Sequence, residues 1–385
     1  MCLERSSTAL WGTLVRVEVQ NLSDLSETLA QRWRDLQAMT PEFMTPLFSP
    51  DIAYLVARHR PNAKVAIGYV NDQAIAFFAF HPTANGYVRA IGAPFCDYQA
   101  IVSDPNFAID GTNFLAKAGI ASIWITSLSD PHHLFRARAL EPVEAYRIYC
   151  EAAGENYMET IRRNNPKWAK NLRRLGNKME RELGPMRLVG HDISRDAYDA
   201  LMTIKVAQFY ETGITNVLRP KWVQDLLLDL FTMSGGYFGG CLVSLYAGDK
   251  FVAGQFGVRL GDWFHPWIAS SCPASRAYSP GILFLGEILR ASRELGLRVI
   301  DLSSGHAHYK SQFCRTPYMA QAGIIGPRPA TAPRQDSGPL GLISRRLDLI
   351  GAVEPDLMGS IIAVGGAISA IPRRLLVRRD MSQAN

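Results

Sequence analysis

Apolar residues in the first third of the chain switch between two periods. Residues 14–19 alternate as a strand does. Over 23–38, Leu25, Leu29, Trp33 and Leu36 recur at helical spacing after candidate caps Asn21 and Ser23. Ser49-Pro50-Asp51 opens a second helix that runs through His59. Residues 64–70 and 73–81 are rich in β-formers on either side of Asn71-Asp72, which predicts a hairpin. A strand over 87–91, a helix over 111–118 and a buried strand over 122–127 follow. This order predicts a mixed α/β domain of about 150 residues.

The pattern then changes. Over 161–184 Trp168, Leu172, Leu175 and Met179 keep one helical face apolar, with Asn164 or Asn165 as cap, Pro166 in the first turn and Gly184-Pro185 as stop. Arg162, Arg163, Lys167, Lys170, Arg173, Arg174, Lys178 and Arg181 cover the rest of that segment. Like charges at i, i+4 destabilise a helix unless an anion neutralises them. A strand over 186–189, helices over 196–210 and 220–233, and strands over 237–246, 251–259 and 262–270 then repeat the plan of the first half. After Pro327 the run RPATAPRQDSGP reads as a linker. Residues 339–380 read as one or two helices whose arginines, Arg345, Arg346, Arg373, Arg374, Arg378 and Arg379, suit acidic lipid heads.

Size and charge narrow the class. The chain has 385 residues, 48% of them hydrophobic, and a formal net charge of +6. That length predicts two domains. The charge suits a polyanionic ligand, and equally a nucleic acid or an acidic membrane surface. The six cysteines show no CxxC spacing and no zinc-like cluster with histidine, so scattered reduced thiols and no metal are expected. The N-terminus lacks the apolar core of a signal peptide. The apolar run over 361–371 is shorter than the ~20 residues needed to span a bilayer. A cytoplasmic protein is expected, with room for peripheral contact with the inner membrane or with envelope-assembly machinery. No helix-turn-helix, zinc-finger or aromatic RNA-binding signature points to DNA or RNA regulation.

The densest chemistry lies over 263–313. A strand leads into Arg276-Ala277-Tyr278-Ser279-Pro280-Gly281, and a helix with Ile282, Leu285, Ile288, Leu289 and Leu295 on its buried stripe follows, ended by Gly296. Ser279 reads as N-cap and Pro280 as first helical residue, while Gly281 clears space for a ligand. Free amides and the positive end of the helix dipole favour a pyrophosphate there. Arg276 and Gly281 resemble the first and last positions of motif A of the GNAT acetyltransferase superfamily, Gln/Arg-x-x-Gly-x-Gly/Ala. Ser279 departs from that pattern where a glycine is usual. Phe209-Tyr210-Glu211-Thr212-Gly213, Gly281-Ile282-Leu283-Phe284, Asp301-Leu302-Ser303-Ser304-Gly305, Tyr309-Lys310-x-x-Phe313 and the basic Lys170-Asn171-Leu172-Arg173-Arg174 are similar to the CelD/BcsL-type acetyltransferases, a BioF2-like group related to the FemABX aminoacyl transferases. The resemblance covers roughly residues 45–325.

It implies an α/β (α+β) fold of two tandem GNAT-like units, each a mixed sheet flanked by helices, with a helical tail. Residues 1–150 would form the acceptor side, 151–184 a basic interdomain helix, 185–327 the unit with the acyl-CoA site, and 328–385 linker and tail. It further implies an acyltransferase using acetyl-CoA or another acyl-CoA as co-substrate, without a metal. The acceptor would be a small molecule or saccharide of an envelope polysaccharide pathway.

Direct transfer needs a base, a thiolate donor and an oriented acceptor. Asp301, His265 and His308, with His306 beside it, are the candidate bases and orienting groups, and Tyr309 is the candidate acid. Tyr210, Lys310, Asp97 and Tyr98 are expected to contact substrate. The corresponding loop of the first half carries Asp97, Asp104 and Asp110, which would repel a pyrophosphate, so the cofactor is expected on the second half only. Two rival readings remain open: a FemABX-like aminoacyl transferase using tRNA, and a non-catalytic envelope-assembly protein.

Overall fold

The structure is a computed structural model that describes residues 16–83, 87–136, 138–152, 155–305, 308–314, 316–327, 339–354 and 357–369. His306, the linker over 328–338 and the arginines after 370 lie outside the described residues. The chain forms two compact units, residues 1–144 with 319–332, and 145–318 with 333–385.

In the first unit the elements are β1 (Arg16–Asn21), α1 (Glu27–Ala38), α2 (Pro50–His59), β2 (Lys64–Val70), β3 (Gln73–Pro82), β4 (Tyr87–Ala90), β5 (Val102–Ser103), α3 (Gly111–Lys117) and β6 (Ser122–Leu128). The caps are local. The Ser26 and Ser49 hydroxyls accept from Leu29 and Ile52 at the starts of α1 and α2. Asn71 and Asp72 both take positive φ, 47° and 60°, as a two-residue hairpin turn requires. The sheet runs β1-β2-β3-β4-β6 and ends on a late strand, Tyr318–Ile325, paired antiparallel with β6. Only β4 and β6 are parallel in that series, with α3 lying between them in sequence. Alternation along β3 splits the core. Phe77 stacks on Trp33 of α1 at 5.2 Å, while Phe78 and Phe80 join Phe114 and Leu115 of α3.

The second unit repeats the order. After β7 (Glu141–Tyr149), a short hairpin of β8 (Glu151–Ala152) and β9 (Glu155–Asn156), α4 (Tyr157–Asn164) and α5 (Pro166–Leu183) come β10 (Met186–Val189), α6 (Arg195–Thr212), α7 (Lys221–Thr232), β11 (Phe238–Ala247), β12 (Lys250–Leu260) and β13 (Trp263–Ser271). A 3₁₀ segment (Pro273–Tyr278), α8 (Pro280–Arg290), β14 (Val299–Ser304), α9 (His308–Phe313), α10 (Pro339–Val353) and α11 (Leu357–Ser369) complete it. The sheet order is β10-β11-β12-β13-β14, continued by β7, and again only the last repeat pair, β13 and β14, is parallel. The two units therefore repeat one plan, in which α3 and α8 are the corresponding crossover helices. Residues 319–332 belong to the first unit.

Four local expectations change. Helix α1 starts at Glu27 behind the Ser26 cap, not behind Asn21 or Ser23, because residues 22–24 form a separate 3₁₀ turn. The basic segment is two helices, α4 and α5, because the Asn165 side chain caps Trp168 and restarts the helix. Helix α8 stops at Arg290, five residues before Leu295; the Ser292 hydroxyl donates back to Leu289 O at 3.0 Å just past its end. Strands β7 and Tyr318–Ile325 carry no clean alternation in the sequence, and their pairing partners are remote in sequence.

Candidate active site

The entry to α8 is more tightly wound than a loop of open amides. Residues 273–278 form 3₁₀ turns, within which Ser275 N donates to Cys272 O at 3.0 Å, and Ser279 N closes the next turn on Arg276 O at 3.1 Å. Ser279 does not cap with its side chain, as its residue type suggested. It sits in the left-handed region (φ 51°, ψ 55°), and its carbonyl accepts from Ile282 and Leu283. A non-glycine residue held there stores on the order of 1–2 kcal/mol of strain. Gly281 is exposed, and a Cβ built on it would meet nothing within 4 Å. The space beside Gly281 is therefore open, and its N–H belongs to the first turn of α8, where amides lack an intrahelical partner and could meet an anion. The amides of 275–279 would have to loosen their 3₁₀ turns to add to it. Ala277 is exposed and Pro280 buried.

Around this start the motif residues come together. The exposed Arg276 guanidinium donates to Glu211 at 3.3 Å, joining the loop to the end of α6, where Tyr210 is 67% exposed. Tyr278 is buried. Its hydroxyl donates to Glu182 at 2.8 Å, which holds that carboxyl below its usual range, and Lys178 lies over its ring.

At the end of β14 a second cluster forms. Asp301 is 0% exposed; one carboxylate oxygen accepts from Arg147 Nε of β7 at 3.0 Å, the other from Ser303 N at 2.9 Å. The Arg147 guanidinium lies 4.0 Å from the Tyr318 ring centroid and 5.4 Å from that of Trp263. His265 Nδ1 is 3.8 Å from Asp301, nearer a contact than a hydrogen bond, and His265 is 1% exposed. The expected direct role of Asp301 and His265 as bases meets this burial: neither side chain reaches solvent. Asp301 backs the turn Ser303-Ser304-Gly305, where Ser303 has φ 68° and Gly305 φ 96°, with His265 behind it. Lys310 ties the same turn from α9, donating to Ser304 O at 3.0 Å. Tyr309 is 42% exposed, and partial burial raises its phenol above the ordinary value. His308 begins α9, and its side chain lies outside the description. Arg147 was missed in the sequence because its partner is 154 positions away. An arginine inside Tyr146-Arg147-Ile148 was the available signal, since a buried guanidinium demands a carboxylate.

In the first unit the corresponding helix start is filled by the protein itself. The Asp110 carboxylate accepts from Thr112 N at 2.8 Å and Asn113 N at 3.0 Å at the N-terminus of α3. Asp104 is buried and paired with Arg32 at 2.9 Å. Tyr98, expected at the acceptor surface, is 2% exposed and meets the Phe48 ring edge-on. Asp97 is half-buried, and its carbonyl accepts from Thr126. Among the described residues no helix is long and apolar enough to cross a membrane, and no group of three or more His, Cys, Asp or Glu is placed to hold a metal ion.

Residues 166–311 match the family model described as an acetyltransferase (GNAT) domain. No curated protein matches the chain. Solved structures that resemble it include FemX, at 9% identity over 80% of this chain and 96% of that one, with a TM-score of 0.48. A tandem GNAT protein from the clavulanic acid biosynthesis pathway matches at 10% identity over 81% of this chain and all of that one, with a TM-score of 0.40. A GCN5-related N-acetyltransferase-like protein from Streptococcus suis matches at 10% identity over 77% of this chain and 96% of that one, with a TM-score of 0.31.

Proposed function

We infer that this chain, an acyltransferase whose residues 166–311 form a GNAT acetyltransferase domain, moves an acetyl group from acetyl-CoA directly to an amino or hydroxyl group of a sugar or envelope polysaccharide precursor. The observation that carries the reading is the contrast between the two crossover helices within that shared plan. The start of α3 is neutralised by Asp110, whereas the start of α8 presents Gly281 with open space before it. A pyrophosphate needs the second arrangement. The donor therefore belongs on the second unit, with Arg276 and Gly281 at its diphosphate, and the first unit serves the acceptor side.

In this reading the buried Arg147–Asp301 pair and His265 are positioning groups that fix the turn after β14. Tyr309 keeps its proton at neutral pH and supplies it to the departing thiolate. His308, adjacent on α9, takes the acceptor's proton. Lys310 holds the turn against α9. Acyl-CoA is a cytosolic metabolite, so the reaction belongs on the cytoplasmic side, and the basic composition of the chain suits peripheral contact with the inner membrane. The test is a screen of saccharide precursors with isotope-labelled acetyl-CoA, read by mass spectrometry. A labelled product that requires His308 and Tyr309 supports the reading. Failure of every hydroxyl and amino acceptor, with no release of CoA above background, contradicts it.

A further inference from the structure

Away from the α8 start, helices α4, α5 and α8 enclose a groove of about 740 Å³. Five cations line it from three elements: Arg162 and Arg163 of α4, Lys170 and Arg173 of α5, and Arg290 of α8. Glu159 is the one acid among its lining residues. Its floor is apolar and firmly built, since a Cβ on Gly286 would sit 3.1 Å from Leu172, so α5 and α8 pack in direct contact there. Arg162 bridges Glu159 at 3.4 Å, and Arg290 pairs with Glu287. Lys170 and Arg173 make no ion pair among the described residues, and both are exposed.

Local physics does not account for Lys170 and Arg173. The first turn of α5 contains no acid, and its positive dipole end disfavours Lys167. Lys170 and Arg174 are like charges four apart on α5. A sequence that breaks local rules on one face gains something there. Gly281 and Arg290 lie nine residues apart on α8, about 13 Å along the axis, so this groove is separate from the donor's helix start. Helix α5 itself reaches the helix of the candidate acid. Trp168, within the first turn of α5, packs edge-on at 5.1 Å against Phe313, the last residue of the helix that carries Tyr309.

We propose that the α4–α5–α8 groove binds the diphosphate of a phosphorylated acceptor, such as a nucleoside-diphosphate or lipid-diphosphate sugar. The word acceptor rests on the transferase reading; the diphosphate site does not. Groove volume falls in the range of about 300–1,000 Å³ for small-molecule sites. None of its lining residues is aromatic, so it lacks the stacking platforms of a single-stranded RNA channel. Lys170 and Arg173 also border a neighbouring hollow with Lys167, Arg174, Lys178 and Arg181, but Arg162, Arg163 and Arg290 join them only in this groove, and five cations there suit a compact, multiply charged group.

Calorimetric titration of the full chain with inorganic pyrophosphate tests this, with the Lys170→Ala, Arg173→Ala double variant beside it and acetyl-CoA titrated in parallel. Each lost charge-assisted contact weakens binding by about tenfold, on the order of a hundredfold for the pair. Saturable pyrophosphate binding that drops by that much, with acetyl-CoA affinity unchanged and both ligands bound together, is the expected result. It would stand even if acetyl-CoA failed to bind, in which case the transferase reading alone falls. The proposal is overturned by absence of saturable binding, or by equal binding in the double variant. One-for-one displacement by CoA also overturns it, since the groove would then serve the donor. Binding of tRNA that pyrophosphate does not compete for overturns it in favour of a nucleic-acid surface.

Discussion

Asp301 shows why burial decides what a residue can be asked to do. Its carboxylate joins Arg147, a backbone amide and the edge of His265 with no exposed surface. Removing one partner of such a pair strands the other charge, at about 3–5 kcal/mol. Asp301→Asn should therefore lower the melting temperature of the second unit by roughly 10 °C, at ~2–4 °C per kcal/mol, read by calorimetry. An unchanged transition would show that the pair holds nothing together. Tyr309 is the opposite case, partly exposed with a raised phenol pKa. Tyr309→Phe should reduce kcat by about a hundredfold with KM for acetyl-CoA retained, and leave the melting temperature near that of the parent. The alkaline fall in rate of the parent should lie above the ordinary tyrosine range. A fall in KM-dependent binding without loss of kcat would remove Tyr309 from the chemistry.

The two units differ in how their crossover helices start. Asp110 at α3 and Ser279 at α8 precede corresponding crossover helices, yet only the first lends its side chain to the backbone. Both helices, the Asn71-Asp72 turn and the strand order of each repeat were legible in periodicity and turn chemistry, because those signals are local. So was Gly281 as the bare position. The conformation of Ser279 was not, since a serine before proline reads as a side-chain cap, whereas here it is left-handed and joins the 3₁₀ turn to α8 through its backbone. Nor was β7, where Ala145, Tyr146, Arg147 and Ile148 are all buried and erase the alternation that marks a half-exposed strand. The Arg147–Asp301 pair and the α4–α5–α8 groove are contacts between remote segments, which spacing along one chain cannot reveal. The basic residues of the groove were visible; their convergence was not.

At the scale of the molecule, stability and function depend on separate buried charges. His81 in the first unit is 1% exposed and accepts from Gly92 N at 3.2 Å. Burial, reinforced by Arg60 and Arg89, pushes its imidazole down from 6.5 to about 3. Above pH 6.5 neither the folded nor the unfolded chain protonates it. Between 6.5 and 3 the unfolded chain gains a proton that the folded one refuses, so stability falls with pH by up to about 1.4 kcal/mol per unit. Denaturant midpoints measured across that window should show this slope, and His81→Gln should flatten it; an unaltered slope would place the acid sensitivity elsewhere.

The account as a whole turns on Gly281. Its Cβ direction is open, so Gly281→Glu should fold with an unchanged melting temperature while placing a carboxylate at the mouth of α8. Titration of acetyl-CoA into the parent and this variant is the most direct measurement. Saturable one-to-one binding to the parent, abolished in a fully folded Gly281→Glu, is the predicted result. Equal affinity in both proteins, or no binding to the parent, would contradict a donor seated on the second unit.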